Sequence, residues 1–295
     1  MKNTIFTGAA TAIVTPMTAD GVDYEQFGRL IDWQIAQGID AIVVAGTTGE
    51  ASTLSDDEHK EVIRYCVERV AGRVPVIAGT GSNDTAYAID LTKYAGEVGA
   101  DAVLLVTPYY NKATQNGLIK FFTDIADASS VPCILYNVPS RTGCNIAPAT
   151  VAALADHPNI VGIKEASGNI SQIAQVAHLC GDKIDIYSGN DDQIVPVLSL
   201  GGKGVISVLS DILPAATSRM VHDYLEGNTA AATAKQLELL PLVDALFSEV
   251  NPIPVKAAVS AMGFGENYLR LPLTPMESQN AEKLFALMRE QGIID

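Results

Sequence analysis

A lysine ends a short apolar segment, Ile160-Val161-Gly162-Ile163-Lys164, in which every other side chain is uncharged. An ammonium group buried in such a segment is costly unless it is paired with a carboxylate or loses its proton. Burial lowers the pKa of a lysine, and the free amine attacks carbonyl carbons. Lys164 is therefore predicted to be a nucleophile that forms Schiff bases. The alternative is a structural salt bridge with Glu50 or Glu165.

Three hydroxyl groups lie at or just after the ends of other apolar segments. Tyr136 is near the end of the segment that precedes Lys164, whereas Thr47 and Tyr110 follow two earlier segments. Because adjacent strands lie about 4.8 Å apart, an inward-facing Tyr136 would reach the Lys164 amine. A tyrosine can shuttle protons during Schiff-base formation when other hydroxyls relay them, which is the role predicted for Thr47 and Tyr110. The alternative for both tyrosines is packing at the mouth of the fold.

Two further features could bind carboxylate groups. Gly46-Thr47-Thr48-Gly49 consists of small residues, so its backbone N–H groups can form a cradle for an anion. Arg141 follows the segment that contains Tyr136, and its guanidinium offers a bidentate fork to a carboxylate or a phosphate. An ordinary tight turn and a surface arginine are the alternatives, and the residues alone leave them open.

The elements that position these residues repeat in type but not in sequence. Short segments of nearly continuous hydrophobicity indicate strands buried on both faces, as in a parallel sheet covered by helices. The longer amphipathic stretches between them begin with capping patterns, such as Ser55-Asp56-Asp57-Glu58, and several end near a glycine. The eight predicted strands are residues 10–15, 41–45, 74–80, 102–107, 133–137, 160–164, 184–188 and 204–208.

Eight strand–helix units in one uninterrupted series predict an α/β fold, a (β/α)8 TIM barrel, over residues 1–225. Residues 226–295 are predicted to form a C-terminal helical extension with helices at 230–247 and 254–262. Thr274-Pro275-Met276-Glu277 predicts a last helix that has Pro275 at its first position. The alternative architecture is a doubly wound open sheet. A barrel would gather the residues named above, because its active site lies at the carboxyl ends of the strands.

Composition argues against several functional classes. Nineteen basic and 34 acidic residues give a net charge of −15, which disfavours binding to nucleic acids or anionic membranes. No apolar run is long enough to cross a bilayer and no secretory signal is evident, so a cytoplasmic protein is expected. The four cysteines and four histidines lack the spacing of metal ligands, which predicts neither a metal site nor a disulfide.

Three motifs resemble the signatures of a known family. Gly46-Thr47-Thr48-Gly49-Glu50, Tyr136-Asn137-Val138-Pro139-Ser140-Arg141-Thr142-Gly143 and Gly162-Ile163-Lys164-Glu165-Ala166 are similar to those of the pyruvate-dependent class I aldolase superfamily. Their order matches as well, and the resemblance extends from about residue 5 to the C-terminus. Within the superfamily it is strongest to the branch that condenses pyruvate with L-aspartate 4-semialdehyde. That reaction gives 4-hydroxy-tetrahydrodipicolinate for diaminopimelate and lysine biosynthesis.

The resemblance implies a role for each of these residues. Lys164 would form a Schiff base with pyruvate, while Tyr136, Thr47 and Tyr110 of the partner subunit would relay protons. Backbone N–H groups would hold the pyruvate carboxylate, and the arginine would bind the carboxylate of aspartate semialdehyde. The resemblance also implies a homotetramer, a dimer of dimers, that needs no cofactor. The residues implied to bind or line the substrate pocket are Thr47, Thr48, Arg141, Gly189 and Ile206.

Three other functions remain open at this point. N-acetylneuraminate lyase or a keto-deoxy sugar-acid aldolase would use the same lysine, but its neutral acceptor would not require Arg141. A non-catalytic binding protein on an open sheet would need no nucleophile. A phosphate-binding isomerase would have a glycine-rich loop after its last strands, whereas Gly201-Gly202-Lys203-Gly204 precedes the eighth predicted strand.

The resemblance also bears on regulation by lysine. Inhibited members of the family carry a glutamate four residues beyond the asparagine of Gly79-Thr80-Gly81-Ser82-Asn83, and here that position is Tyr87. The glutamate pairs with the ligand's ammonium group, so its absence predicts weak or no inhibition. His59, Asn83 and Tyr109 remain compatible with such a site, and Asp56 compensates only if it reaches the same place.

Overall fold

Eight parallel strands form a closed barrel in the computed structural model, which describes residues 2–295. Barrel strands that follow one another along the chain pair side by side, and the first closes the circle by pairing with the last. This confirms the predicted TIM barrel and excludes the open sheet. A short hairpin separates the first two barrel strands. The strands are β1 Gly8–Ala12, β2 Met17–Thr18, β3 Gly21–Val22, β4 Ala41–Val44, β5 Val76–Gly79, β6 Ala102–Val106, β7 Cys133–Asn137, β8 Ile160–Glu165, β9 Asp185–Ser188 and β10 Gly204–Ser207.

Helices surround the barrel and continue beyond it to form the C-terminal part of the chain. Within residues 2–295, none of them is both long enough and apolar enough to span a membrane. The helices are α1 Tyr24–Ala36, α2 Asp56–Val70, α3 Thr85–Glu97, α4 Gln115–Ala128, α5 Pro139–Thr142, α6 Pro148–Leu154, α7 Ile170–Cys180, α8 Ile194–Ser199, α9 Pro214–Leu225, α10 Thr229–Leu246, α11 Ile253–Ala261 and α12 Ser278–Glu290.

The barrel strands are buried on both faces, as their composition predicts. Every residue is buried in six of the eight. Alternate side chains fill the barrel interior or pack against the helices, so that Ile134 lies inside and Leu135 outside. Seven of the predicted strands agree with the structure to within two residues at each end. The first ends three residues early, because the backbone N–H of Val14 already donates to the Asp211 carboxylate.

Local capping interactions fix where several helices begin. At the start of α2, Ser55 and Glu58 form the predicted capping box, in which each side chain accepts a hydrogen bond from the other's backbone N–H. Asp23 caps α1 by accepting from the N–H of Gln26. After α3, Gly99 has a φ of +90°, a left-handed conformation that glycine adopts without strain. These patterns are local, which is why the sequence predicts them.

The helices after α9 pack on the barrel, and the last begins later than predicted. Helices α10 and α11 lie within one residue of their predicted positions, whereas α12 begins at Ser278. The prediction of Pro275 as its first residue is wrong. Met276 is buried in the core, and the backbone N–H of Glu277 donates to Glu249 Oε1 at 3.0 Å. Tertiary contacts therefore hold this stretch outside the helix. A division of the chain into barrel and extension at residue 225 stays a prediction.

Candidate active site

Lys164 lies inside the barrel near the carboxyl end of β8. It is paired across the sheet with Tyr136 of β7 and with Tyr187 of β9. The Lys164 Nζ stands 4.4 Å from the centre of the Tyr136 ring. Glu165, the next residue, faces outward and accepts hydrogen bonds from Asn137 Nδ2. The strand thus alternates, with the lysine directed into the barrel.

Among the described residues, the Lys164 amine has no carboxylate within ion-pair distance. Glu50 is paired with Lys256, and Glu165 is engaged on the outer face of the strand. The salt-bridge alternative for Lys164 is therefore wrong. Burial lowers the pKa of Lys164 to about 8, and the charge of Asp191 opposes this shift. A substantial fraction of the amine is consequently unprotonated near neutral pH.

Tyr136 and Thr47 line the same cavity as Lys164. Burial raises the pKa of the Tyr136 phenol, while the charge of Arg141 and the nearby Thr47 side chain lower it in part. The phenol therefore keeps its proton near neutral pH and is able to donate it. The structure brings together a buried amine, a phenol and a hydroxyl, which is the set of groups required for proton transfer at a carbonyl carbon.

The loop after β4 holds the predicted carboxylate cradle. Within residues 2–295, the backbone N–H groups of Thr47 and Thr48 have no hydrogen-bond acceptor, so both are available to a ligand. Thr48 is buried, and its Oγ1 accepts a hydrogen bond of 3.0 Å from Asn251 Nδ2. Two free donors beside a buried amine can bind a carboxylate that belongs to a carbonyl compound.

A buried ion pair anchors this loop to the C-terminal helices. Glu50 has a left-handed backbone with a φ of +56°, and its carboxylate is paired with the ammonium of Lys256. The other carboxylate oxygen of Glu50 accepts from the backbone N–H of Arg270 at 3.3 Å. Burial lowers the pKa of Lys256, and the charge and hydrogen bond of Glu50 partly raise it again. The loop conformation thus depends on a distant part of the chain.

Arg141 enters the cavity from α5, the single turn of helix that follows β7. Its Nη2 donates a hydrogen bond of 3.1 Å to the backbone carbonyl of Asn251. That bond uses one of the five guanidinium N–H groups, so the others remain able to bind an anion. Arg141 is exposed at the mouth of the cavity, so the carboxylate fork stays a prediction.

The two remaining predicted residues are placed differently. Gly189 follows β9 and lies against the lysine, since a Cβ there would stand 2.6 Å from Ala166 Cβ and 3.0 Å from Lys164 Cε. Any larger residue would require Ala166 or Lys164 to shift. Ile206 of β10 is buried in the apolar layer of the barrel interior, together with Tyr136. Gly189 thus lines the cavity directly, whereas Ile206 packs within the barrel.

A buried carboxyl group, that of Asp191, influences Lys164 from the end of β9. Its Oδ2 accepts hydrogen bonds from the backbone N–H groups of Val208 and Leu209, at 3.0 and 2.9 Å. Burial raises the pKa of Asp191, and its hydrogen bonds lower it in part. The sequence shows this acid at a strand end but predicts no role for it. Within residues 2–295, no group of three His, Cys, Asp or Glu side chains could hold a metal ion.

A cavity of about 650 Å³ lies at the mouth of the barrel, and its lining includes Lys164, Tyr136 and Arg141. A second region of the cavity includes Asp56, His59, Tyr87 and Tyr109 of the residues considered for lysine binding, but Asn83 does not line it. There burial of the Tyr87 phenol and the nearby Asp56 carboxylate raise the pKa of the phenol. A lysine site in this region stays a prediction. The residues of this second region include Ser52, Asp56, His59, Tyr87 and Tyr109.

Tyr110 is the one predicted relay residue that this chain does not bring to its own cavity. Its side chain is 91% exposed, and its backbone is left-handed with a φ of +69°. The loop that carries it is held by Asn83 and Asn111, whose side-chain amides donate to backbone carbonyls at 3.1 and 3.0 Å. An aromatic side chain fixed in this outward position is available to another subunit.

Two residues of the site are missed by sequence reasoning, Asn251 and Lys256. Both belong to the segment after α10, which is far along the chain from the barrel mouth but lies beside it in space. Lys256 lies in a predicted helix and gives no signal of its own. Asn251 precedes a proline, a pattern that indicates a turn and nothing about chemistry.

Comparison with known proteins gives one consistent result. The model of the dihydrodipicolinate synthetase family matches residues 5–291. A 4-hydroxy-tetrahydrodipicolinate synthase from Lachnoclostridium phytofermentans is 59% identical over 98% of this chain and 99% of its own length. The structure of the dihydrodipicolinate synthase from Thermotoga maritima has a TM-score of 0.97 at 42% identity, covering 99% of this chain and 100% of that one. A chloride-inhibited enzyme from Acinetobacter baumannii, complexed with pyruvate, has a TM-score of 0.96 at 45% identity, with 99% and 100% covered.

Proposed function

The chain belongs to the dihydrodipicolinate synthetase family, and we propose that Lys164 forms a Schiff base with pyruvate in its reaction. That reaction condenses pyruvate with L-aspartate 4-semialdehyde to 4-hydroxy-tetrahydrodipicolinate. The enzyme is a lyase, and its reaction is a step of lysine and diaminopimelate biosynthesis. The observation that supports the proposal is the buried Lys164 amine, whose pKa is lowered to about 8 and whose Nζ lies 4.4 Å from the Tyr136 ring.

In the first half of the reaction, the Lys164 Nζ attacks the ketone carbon of pyruvate and water leaves, which gives an iminium. Tyr136 and Thr47 carry the protons that this step exchanges, because their hydroxyls lie in the same cavity. Loss of a proton from the pyruvate methyl group then gives an enamine. The positively charged imine nitrogen takes up the electron pair, so the proposal includes no cofactor.

The pyruvate carboxylate binds to the backbone N–H groups of Thr47 and Thr48. The support for this assignment is that both groups lack an acceptor within residues 2–295, while the loop is fixed by the ion pair of Glu50 and Lys256. Preorganised donors bind an anion without the entropic cost of ordering the loop.

In the second half, the enamine carbon attacks the aldehyde carbon of aspartate semialdehyde, whose carboxylate is held by Arg141. The amino group of this substrate then attacks the imine carbon. A carbon–nitrogen bond of the ring forms, the bond to Lys164 Nζ breaks, and the departing amine takes up a proton. Gly189 leaves room for these adducts, because a side chain there would meet Lys164 Cε.

The proposal extends to assembly and location. Tyr110 of the partner subunit completes the proton relay, which is supported by its 91% exposure in this chain. The active species is then at least a dimer and, by its family, a homotetramer. Full activity in a preparation shown to be monomeric would contradict this assignment. A cytoplasmic location is supported by four buried free cysteines, which suit a reducing compartment.

Borohydride trapping tests the function directly. Pyruvate with borohydride is expected to add one lactyl group per chain, and mass spectrometry of the peptides is expected to place it on Lys164. Labelling of another lysine, or of none, would reject the mechanism. Turnover of aspartate semialdehyde beside that of N-acetylneuraminate tests the choice of acceptor, and the former is expected to be the substrate.

A further inference from the structure

Asn251 brings the C-terminal part of the chain into the active site. It lies between α10 and α11, lines the cavity and is 6% exposed. Its Nδ2 donates to Thr48 Oγ1 at 3.0 Å, and its backbone carbonyl accepts from Arg141 Nη2 at 3.1 Å. Asn251 therefore lies between the proposed binding sites of the two substrate carboxylates and contacts both.

The side-chain oxygen of Asn251 is left without a partner. Its Oδ1 is buried, and none of the residues 2–295 donates a hydrogen bond to it. Buried acceptors in folded proteins are nearly always satisfied, so an orphaned one inside a substrate cavity indicates a ligand donor. The amide nitrogen is already bonded to Thr48 Oγ1, which leaves Oδ1 as the atom of the amide that has no partner.

The second substrate supplies such a donor. In aspartate semialdehyde the amino group and the carboxylate are attached to the same carbon atom. A carboxylate bound by Arg141 therefore places the amino group close to the residue that Arg141 itself contacts. We propose that Asn251 is a specificity-determining residue, whose Oδ1 accepts a hydrogen bond from the amino group of aspartate semialdehyde. The inference rests on the proposed function, because it needs Arg141 to hold the substrate carboxylate.

An amide suits this position better than a carboxylate does. The amino group must lose a proton before its lone pair can attack the imine carbon. A neutral acceptor orients one N–H and leaves the lone pair free, whereas a carboxylate would favour the protonated ammonium. Asn251 thus selects the amino group without preventing ring closure.

The test compares aspartate semialdehyde with succinic semialdehyde, which lacks the amino group but keeps the aldehyde and carboxylate. Condensation with Lys164-bound pyruvate is measured for both by the mass of the adduct that borohydride traps at early times. In Asn251→Ala, the preference for aspartate semialdehyde is expected to fall roughly two- to twelvefold, as for loss of a hydrogen bond between neutral groups. Asn251→Asp is expected to keep the preference but to lower both KM and kcat, since ring closure slows.

Thr48→Val is the matched control. It removes the hydroxyl that accepts from Asn251 Nδ2 but leaves Oδ1 in place, so the preference between the two aldehydes is expected to survive. Formation of the pyruvate adduct by each variant shows that its site is folded. An unchanged preference in Asn251→Ala would overturn this inference alone. Absence of any pyruvate adduct in the unaltered enzyme would overturn the proposed function and this inference with it.

Discussion

Two lysines are buried among residues 2–295, and they differ in whether a carboxylate is paired with the ammonium group. Lys164 inside the barrel and Lys256 in α11 are 6% and 2% exposed. Lys256 is paired with the carboxylate of Glu50, whereas Lys164 has no such partner among the described residues. Burial lowers the pKa of both. At Lys256 a carboxylate in direct contact opposes this shift, whereas at Lys164 the opposing charge is that of Asp191, which forms no ion pair with it. The same type of side chain therefore forms a structural ion pair in one place and is the proposed nucleophile in the other.

The comparison shows that burial alone does not make a lysine reactive. What distinguishes Lys164 is burial without a carboxylate in direct contact, which lets the neutral amine compete with the ammonium. At Lys256 the Glu50 carboxylate favours the charged ammonium, and this ion pair fixes the loop that carries Thr47 and Thr48. Each lysine thus contributes to the same cavity, one through chemistry and the other through structure.

The largest expected effect is the loss of turnover when Lys164 is replaced. Lys164→Ala is expected to lower turnover by at least roughly 10⁴-fold, because no other group can form the Schiff base. Its melting temperature is expected to stay close to that of the unaltered enzyme, since the change removes a buried uncompensated cation. Steady-state rates and thermal unfolding measure the two effects. Substantial turnover in this variant would remove the distinction between the two lysines.

The reverse pattern is expected at Lys256. Lys256→Met leaves the Glu50 carboxylate buried and unpaired, which is expected to cost about 3–5 kcal/mol of the free energy of unfolding. The double variant Lys256→Met, Glu50→Gln removes both charges and is expected to be clearly more stable than the single variant. Urea unfolding of both provides the comparison. Equal stabilities would mean that the ion pair does not carry the structural role given to it.

Arg141 connects the second substrate with the electrostatics of Lys164. Arg141→Ala is expected to reduce kcat/KM for aspartate semialdehyde roughly ten- to hundredfold, about 1.5–3 kcal/mol, with little effect on pyruvate. It is also expected to raise the pKa of Lys164, because the Arg141 charge lowers it. Arg141→Lys is the control, since it keeps the charge but loses the bidentate fork. Equal damage to both substrates would reject the assignment.

The pH dependence of adduct formation tests the lowered pKa of Lys164. Below a pKa of about 8, the free-amine fraction of Lys164 falls about tenfold for each pH unit, and the single-turnover rate with pyruvate is expected to follow it. Asp191→Asn removes a charge that raises this pKa, so its profile is expected to shift to lower pH. A shift to higher pH in that variant would contradict the role given to Asp191.

The smallest effect is expected when free lysine is added as an inhibitor. Like that of Lys256, its ammonium group would need a carboxylate partner when buried in the protein. In the second region of the cavity, the glutamate that would pair with the ligand's ammonium is replaced by Tyr87, whose phenol lies near Asp56. Millimolar lysine is therefore expected to change initial rates little. Tyr87→Glu supplies a carboxylate in its place and is expected to increase inhibition. Strong inhibition of the unaltered enzyme by sub-millimolar lysine would disprove this prediction.

The sequence predicts the barrel because its signals are local and repeated. Segments such as 133–137 are apolar throughout, and a strand buried on both faces requires this composition. Ser55 and Glu58 likewise predict the start of α2, because their capping hydrogen bonds lie within one turn. The start of α12 escapes prediction because it depends on Glu249, a residue far away in the chain that holds Glu277 outside the helix.

The candidate site follows the same division. Lys164, Tyr136 and Arg141 lie at strand ends or just beyond them, and a barrel brings strand ends together, so their neighbourhood follows from the fold. Asn251 and Lys256 reach the site through the return of α10 and α11 across the barrel mouth, which no local pattern encodes. Tyr110 needs a second chain. The residues missed or left outside are those whose position depends on long-range packing.

The contact between Asn251 and the barrel mouth has a consequence for synthesis of the chain. Positions 164 and 251 are 87 residues apart, so at about 5–20 residues per second roughly 4 to 17 s pass between them on the ribosome. During this interval a nascent chain carries Lys164 but lacks Asn251 and Lys256, which anchors the loop of Thr47 and Thr48. The active site is therefore completed only late in translation, when the segment that closes the mouth has emerged.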